Sequence, residues 1–383
     1  MSTSQAFIFH RPELAVQLAD ALVGQGPFTY RSGLFLAAPR RTGKSTFLRH
    51  DLVPELQRRG LLTLYVDLWS DRQRDPATLL FDAIKHALHE NEHSFVKGLK
   101  KTGLSKIGLG PFVSFEIDKL GTPQGATLTE ALSSLAQKTG KSIGLVVDEA
   151  QHALSSEAGT QSMFALKAAR DAMNQTTGAN KLTLVFTGSH RDKLSKLLLR
   201  RDQAFFGAHL IDFPMLGRDY CNAYTQWLNE RLADDNQFYP QDVFAAFEIL
   251  GYRPELLEKV LSEFALGQNK SLGLKQSLAE GAKSLREEFW EEFDRDFSQL
   301  TPLQKVILQF IIDKNESFTP FSQETLLALS SATAASVDTS QIQAAIDGLR
   351  QKNIVWRSAR ATYALEDQAM AEWYLARHGK SPP

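Results

Sequence analysis

The sequence predicts an α/β protein: a parallel sheet with helices between its strands, then a wholly helical stretch, then helices that close on a short hairpin. Three observations predict it. Four short apolar runs recur in the first two thirds of the chain with helical patterns between them, as expected for strands buried on both faces. After Asp212-Phe213-Pro214 such runs stop and amphipathic helix takes over. Near the end, three helical patterns precede two strand-like segments around a turn.

Composition narrows the class. The 383 residues are 43% apolar and 23% charged, which excludes a disordered chain, a fibrous repeat and a membrane channel. Lys plus Arg number 43 and Asp plus Glu 44, a net charge of −1, so the basic excess of a non-specific nucleic-acid coat is missing. A single cysteine, Cys221, excludes an internal disulfide and a Cys-cluster zinc site. Met1 to Arg11 has neither a basic n-region nor a long apolar core, and no run approaches the roughly 18 apolar residues of a membrane span. Asn174, Asn269 and Asn315 each begin an N-x-S/T triplet, read here as chance. A reducing, cytoplasmic protein without a membrane partner is expected.

The strands are expected at Leu34–Ala37, Thr63–Leu68, Ile143–Val147 and Leu182–Phe186. Lys97 to Thr122 breaks the rhythm with Gly98, Gly103, Gly108, Gly110, Pro111 and Gly121. With the alternating run Phe112–Ile117 it reads as an inserted surface hairpin whose start, with Lys97, Lys100, Lys101 and Lys106, is basic. Residues 218–297 read as helix, with Leu278, Leu285, Phe289, Phe293 and Phe297 on one face and Glu287, Glu288, Glu291, Glu292, Asp294 and Asp296 on the other. Thr301-Pro302 reads as an N-cap and first helical residue. Helices follow at 302–314, 322–330 and 340–352, strands at Ile354–Arg357 and Thr362–Leu365, and a last helix at 367–377. Three helices and a hairpin are the winged-helix order. The expected divisions are a core at 1–213, a helical lid at 214–298 and a winged helix at 299–383.

The sharpest motif is Ala38-Pro39-Arg40-Arg41-Thr42-Gly43-Lys44-Ser45, between an apolar run and the helical stretch beginning Thr46-Phe47-Leu48. It has the Walker A spacing, with alanine where glycine is commoner. In such a loop, backbone N–H groups at a helix N-terminus converge on anionic oxygens. Gly43 allows close approach, Lys44 supplies a charge to the β and γ phosphates, and the Ser45 hydroxyl ligates Mg²⁺. About a hundred residues later, Ile143 to Val147 ends in Asp148-Glu149, the Walker B pattern. Asp148 is expected to hold Mg²⁺ directly or through water, and Glu149 to orient or deprotonate the attacking water.

In this order the motifs resemble the archaeal-type P-loop ATPases of the STAND branch, close to AAA+ and the origin-recognition ATPases. The likeness runs from about Phe7 to Arg377. Phe9-His10-Arg11-Pro12-Glu13-Leu14 resembles the family's N-terminal segment, with the glutamate one place early, and implies that Arg11 lies near an adenine. Leu184-Val185-Phe186-Thr187-Gly188-Ser189 resembles the sensor strand and implies that Ser189, or else Thr187, touches the γ-phosphate or the lytic water. Arg200-Arg201 occupies the stretch where relatives place an arginine finger; both are candidates, of which one would reach a nucleotide and Arg201 is taken, although Gly207 is followed by Ala208 where the family often has Gly-Arg-Ala. Gly251-Tyr252-Arg253-Pro254 resembles the lid motif, with Arg253 a second sensor. The implied cofactors are ATP and Mg²⁺, with self-association as an option.

A winged helix can place its third helix in the major groove of double-stranded DNA. That helix offers Gln341, Gln343, Arg350 and Lys352, and the wing Arg357 and Arg360. Yet residues 301–383 hold eight basic and eight acidic residues, fewer cations than a strong phosphate binder would carry. Three readings follow: an ATP-driven switch that hydrolyses slowly and acts on DNA, a DNA-binding regulator with structural nucleotide, and a protein-recruiting scaffold.

Overall fold

Strand β1 (Leu34–Ala37) is buried on both faces, and it lies inside a five-stranded sheet. Its partners are β2 (Leu62–Asp67), β3 (Ile143–Asp148), β4 (Leu182–Gly188) and β5 (Leu210–Asp212), in the order β2-β3-β4-β1-β5, every pair parallel. In this computed structural model the described residues are 6–27, 29–101, 127–175, 180–199, 202–265, 274–314, 317–359 and 361–379.

The pleat sorts the side chains between two apolar layers. Phe35, Leu145, Val147, Leu184 and Phe186 point into the layer under α4 (Pro76–Lys101), α5 (Leu128–Thr139) and α6 (Glu157–Gln175). Leu34, Leu36, Val146 and Val185 point the other way. They meet α1 (Pro12–Val23) and the helical run α2 (Lys44–Phe47), which continues through a π-helical turn at Leu48–Leu52 into α3 (Val53–Arg58). Buried aliphatic strands flanked by helices on both sides make a three-layer α/β sandwich.

The four strands read from sequence are present; β2 starts one residue earlier, at Leu62. Strand β5 was not anticipated: it is three residues long, sits at the sheet edge and is only half-buried, so it lacks a hydrophobic signature. The hairpin expected from Lys97 needs correction at its start. Residues 97–101 complete α4, because Gly98 alone costs a helix only about 1 kcal/mol and no proline follows until Pro111. The rest of that segment, with the Phe112–Ile117 run, lies outside the described residues.

Beyond the sheet, α7 (Arg191–Ser195) leads towards β5, and α8 (Arg218–Asn229), α9 (Pro240–Ile249) and α10 (Pro254–Ala265) build a second apolar core with Phe7 and Phe9. The long α11 (Leu274–Ser298) is shared: Leu278 and Leu285 pack in that core, whereas Phe293 packs in a third. The third core holds α12 (Pro302–Lys314), α13 (Gln323–Thr333), α14 (Thr339–Gln351), the antiparallel pair β6 (Val355–Ala359) and β7 (Thr362–Leu365), and α15 (Ala369–His378). Thr301 caps α12 as expected: its Oγ1 accepts from the Gln304 amide at 3.3 Å, and Gln304 accepts from the Thr301 amide at 3.0 Å. Among the described residues, no helix is long and apolar enough to cross a membrane.

Candidate functional site

The site forms where β1, β3 and β4 end side by side, with β4 between the other two. The loop after β1 is closed by the Thr42 hydroxyl, which donates to the Pro39 carbonyl at 2.9 Å. Arg41 and Gly43 both take left-handed backbone, φ 66° and 84°, and so turn the chain into α2. For Gly43 this costs little; for Arg41 it costs about 1–2 kcal/mol, strain kept in the loop by its surroundings. Ala38 stays outside the left-handed region, so alanine in place of glycine is accommodated. Its amide donates to the Gly188 carbonyl at 3.2 Å and fastens the loop to β4.

Lys44 is 5% exposed and its Nζ meets Glu149 Oε1 at 3.0 Å. The two Walker motifs therefore converge. Glu149 Oε2 accepts from Ser189 Oγ at 2.8 Å and from Gln151 Nε2. Burial alone would raise the Glu149 carboxyl, but Lys44, Ser189 and Gln151 outweigh it and hold the group at about 2. Glu149 itself stands in the left-handed region, φ 53°, which swings its carboxylate away from the strand line towards the loop. Arg40 Nε reaches Ser189 Oγ at 3.5 Å, and its guanidinium lies 5.3 Å from the Trp69 ring.

Asp148 is 1% exposed and occupied by three donors. Tyr65 OH donates to Oδ2 at 2.6 Å, the Glu149 amide to Oδ1 at 3.0 Å, and the Thr187 hydroxyl also to Oδ1. Ser45 and Thr46 are exposed at the start of α2. Ser45 and Asp148 offer oxygen donors only, the set a hard divalent cation prefers. Gln151 Oε1 is buried without a hydrogen-bond partner in this cluster, a free acceptor for a water.

A cavity of about 450 Å³ opens beside the loop, lined by Phe7, Phe9, Arg11, Thr46, Tyr220 and Trp227 among others. The Phe7 and Tyr224 rings lie 5.0 Å apart, and Phe9 meets Tyr220 edge-on at 5.6 Å. Flat apolar walls next to a phosphate-binding turn suit a heteroaromatic base. Arg11 is fixed by the Pro214 carbonyl at 2.7 Å and lies over the Phe213 ring.

The sequence-derived residues thus fall into groups. Lys44, Glu149, Ser189 and Arg40 are joined by direct contacts. Asp148 is one step away, under Thr187 and Tyr65. Arg41 pairs with Glu255 of α10 at 3.0 Å. Arg253 is 4% exposed, pairs with Asp367 and lines a cavity with Pro39, Arg40, Arg41 and Ser189. Arg200, Arg201 and Arg360 lie outside the described residues. Sequence reasoning assigned no role to Tyr65 or Gln151. Gln151 was visible beside the Asp-Glu pair; Tyr65 could be found only from the register that sets β2 against β3.

A strand-loop-helix with a buried lysine, facing an acidic pair across an intervening strand, defines a P-loop protein of AAA+ fold. Residues 29–198 match a family described as AAA domain. No curated protein matches the sequence. Among solved structures, the ORC2 protein of Aeropyrum pernix in its ADP form aligns at TM-score 0.57 and 14% identity, over 96% of this chain and 93% of that one. A Walker-type ATPase of Pyrococcus abyssi aligns at TM-score 0.54 and 19% identity, over 96% and 95%. The chain shares its fold with these two proteins.

Proposed function

We propose that this protein binds ATP with Mg²⁺, hydrolyses it slowly and works as a nucleotide-driven switch. The observation that carries the reading is the meeting of Lys44, Glu149 and Ser189 at the mouth of the Ala38–Ser45 loop. The triphosphate would lie along the loop amides with its base among Phe7, Phe9 and Tyr220. Ser45 and Asp148 would hold Mg²⁺, which supplies positive charge to the phosphate oxygens when bound. Lys44 would exchange its carboxylate partner for phosphate oxygens. Glu149, freed from Lys44 but still held by Ser189 and Gln151, would orient and deprotonate the in-line water. Ser189 and Arg40 would meet the charge that develops on the γ-phosphoryl group, and Arg201, supplied from a neighbouring copy, would add to them.

The chain divides, in this reading, into an ATPase core at 1–213, a lid at 214–298 and a winged helix of STAND type at 299–383. The order of α12, α13, α14 and the β6–β7 hairpin supports the last assignment. The alternative of a DNA-binding regulator has less support. Arg350 donates to Asp192 at 2.8 Å and to Asp347 at 3.1 Å, and residues 315–349 contain no lysine or arginine. Up to residue 349, α13 and α14 therefore offer no cation to a phosphate backbone, and the exposed Lys352 stands at the C-cap of α14.

Steady-state ATP hydrolysis with wild type and Glu149→Gln tests the reading. The variant should retain ATP and lose about 10²-fold or more in turnover. Equal rates would refute the base role of Glu149.

A further inference from the structure

The C-terminal core touches the ATP site through two adjacent acidic residues, Glu366 and Asp367. Asp367 accepts from Arg253, the residue just before the lid helix α10; the Arg253 guanidinium carbon also lies 4.2 Å from the centre of the Phe289 ring of α11. Glu366 turns the other way. Its Oε1 accepts from the Asp192 amide at 3.2 Å, and its carbonyl accepts from Arg191 at 3.1 Å. Asp192 is fully buried and in turn binds the C-terminal unit, accepting from Arg350 Nε at 2.8 Å and from the Arg357 amide at 3.4 Å. Asp192 follows Ser189 by three residues, and Ser189 sits on Glu149. One short segment, 189–192, therefore has the catalytic carboxylate at one end and the C-terminal unit at the other.

Between the two carboxylate contacts and the phosphate-binding loop lies a cavity of about 470 Å³, lined by Arg40, Arg41, Lys193, Arg253, Glu366 and Asp367 among others. Its cations attract an anion, and one of them, Arg253, is held by Asp367. The junction is also incompletely satisfied: Glu366 Oε2 and His190 Nδ1 are buried without hydrogen-bond partners. Unmade hydrogen bonds at a buried seam lower the cost of parting it.

We propose that Glu366 and Asp367 form a two-sided clasp holding the C-terminal unit against both core and lid, and that a triphosphate entering the cavity opens it by competing with Asp367 for Arg253. The opening step rests on the nucleotide-binding reading above; the clasp itself does not. A bound triphosphate brings several anionic oxygens where Asp367 brings one carboxylate. Loss of Asp367 from Arg253 leaves only the Asp192 side of the clasp. A diphosphate, lacking the γ-phosphoryl oxygens, is expected to leave the clasp shut.

Hydrogen exchange read by mass spectrometry on the full chain tests this. The probes are the amides of Asp192 and Arg357, which donate across the seam to Glu366 Oε1 and Asp192 Oδ1. With Mg²⁺ and the non-hydrolysable analogue AMP-PNP, their exchange should accelerate by about 10-fold or more, the response to roughly 1.4 kcal/mol of lost protection. ADP should leave them slow. Asp367→Asn should show the fast rate without nucleotide, and Asp192→Asn should release Arg357 in the same way should the first variant fold poorly. Unchanged exchange with AMP-PNP bound, as verified by calorimetry on the same sample, would overturn the opening step. Wild-type protection in a folded Asp367→Asn or Asp192→Asn would overturn the clasp. Failure of AMP-PNP to bind would overturn the nucleotide reading and the opening step together, leaving the two variants to judge the clasp.

Discussion

Replacing Glu149 by glutamine removes the charged partner of a buried lysine, and the size of the effect follows from the site. The carboxyl is held at about 2 instead of its ordinary 4.5, although burial opposes this. Such a displacement is worth about 3 kcal/mol at neutral pH. Because the folded value lies below the unfolded one, this contribution is complete above pH 4.5 and disappears as the pH falls through about 2. In Glu149→Gln the Lys44 ammonium, 5% exposed, faces a neutral amide. Leaving a buried charge without its partner costs a similar few kcal/mol. For a domain of this size, 1 kcal/mol moves the melting temperature by about 2–4 °C, so the nucleotide-free variant should melt about 6–12 °C below wild type. Added MgATP should narrow the gap, because phosphate replaces the missing anion beside Lys44, whereas in wild type it must first displace Glu149. Differential scanning fluorimetry with and without MgATP reads both effects. A nucleotide-free Glu149→Gln that melts with wild type, or a nucleotide-induced shift no larger than in wild type, would refute the reasoning.

Two further outcomes are expected. Burial pushes the Glu366 carboxyl up to about 8, despite the Asp192 amide and Arg191, so the folded state keeps a proton that the unfolded chain gives up near 4.5. Stability should therefore fall by about 2 kcal/mol between pH 6.5 and 8, and Glu366→Gln should flatten that slope in urea titrations; an unchanged slope would count against the burial of this group. In Gly188→Ala the new methyl would come within 2.4 Å of Gln151 Oε1 and 3.2 Å of Leu194. That crowding should cost about 1–3 kcal/mol and lower turnover by displacing Gln151 from Glu149, and a variant with wild-type melting and turnover would contradict it.

Strands β1, β3 and β4 were legible because they are aliphatic and buried on both faces, a pattern that needs no partner to recognise, and β2 by its run of β-branched, aromatic and aliphatic residues. Strand β5 was not, since an edge strand of three half-exposed residues has no period to read. The two phosphate-site motifs were legible because loop and acidic pair are each contiguous in sequence. What lay hidden was set by register and by distance along the chain. Tyr65 reaches Asp148 only because β2 and β3 pair from Leu62 to Asp67. Glu366 and Asp192 are 174 residues apart, and each reads in sequence as an ordinary surface acid. Arg350, offered by the sequence as a DNA contact, turns inward to Asp192 for the same reason: helix periodicity gives its face, not what that face meets.

Titration of wild type and Lys44→Ala with MgATP by isothermal calorimetry probes the phosphate-binding loop most directly. Wild type should bind with saturable one-to-one stoichiometry, and Lys44→Ala, folded by circular dichroism, should show no binding. No heat with wild type, or equal affinity in the variant, would contradict a triphosphate held by Lys44.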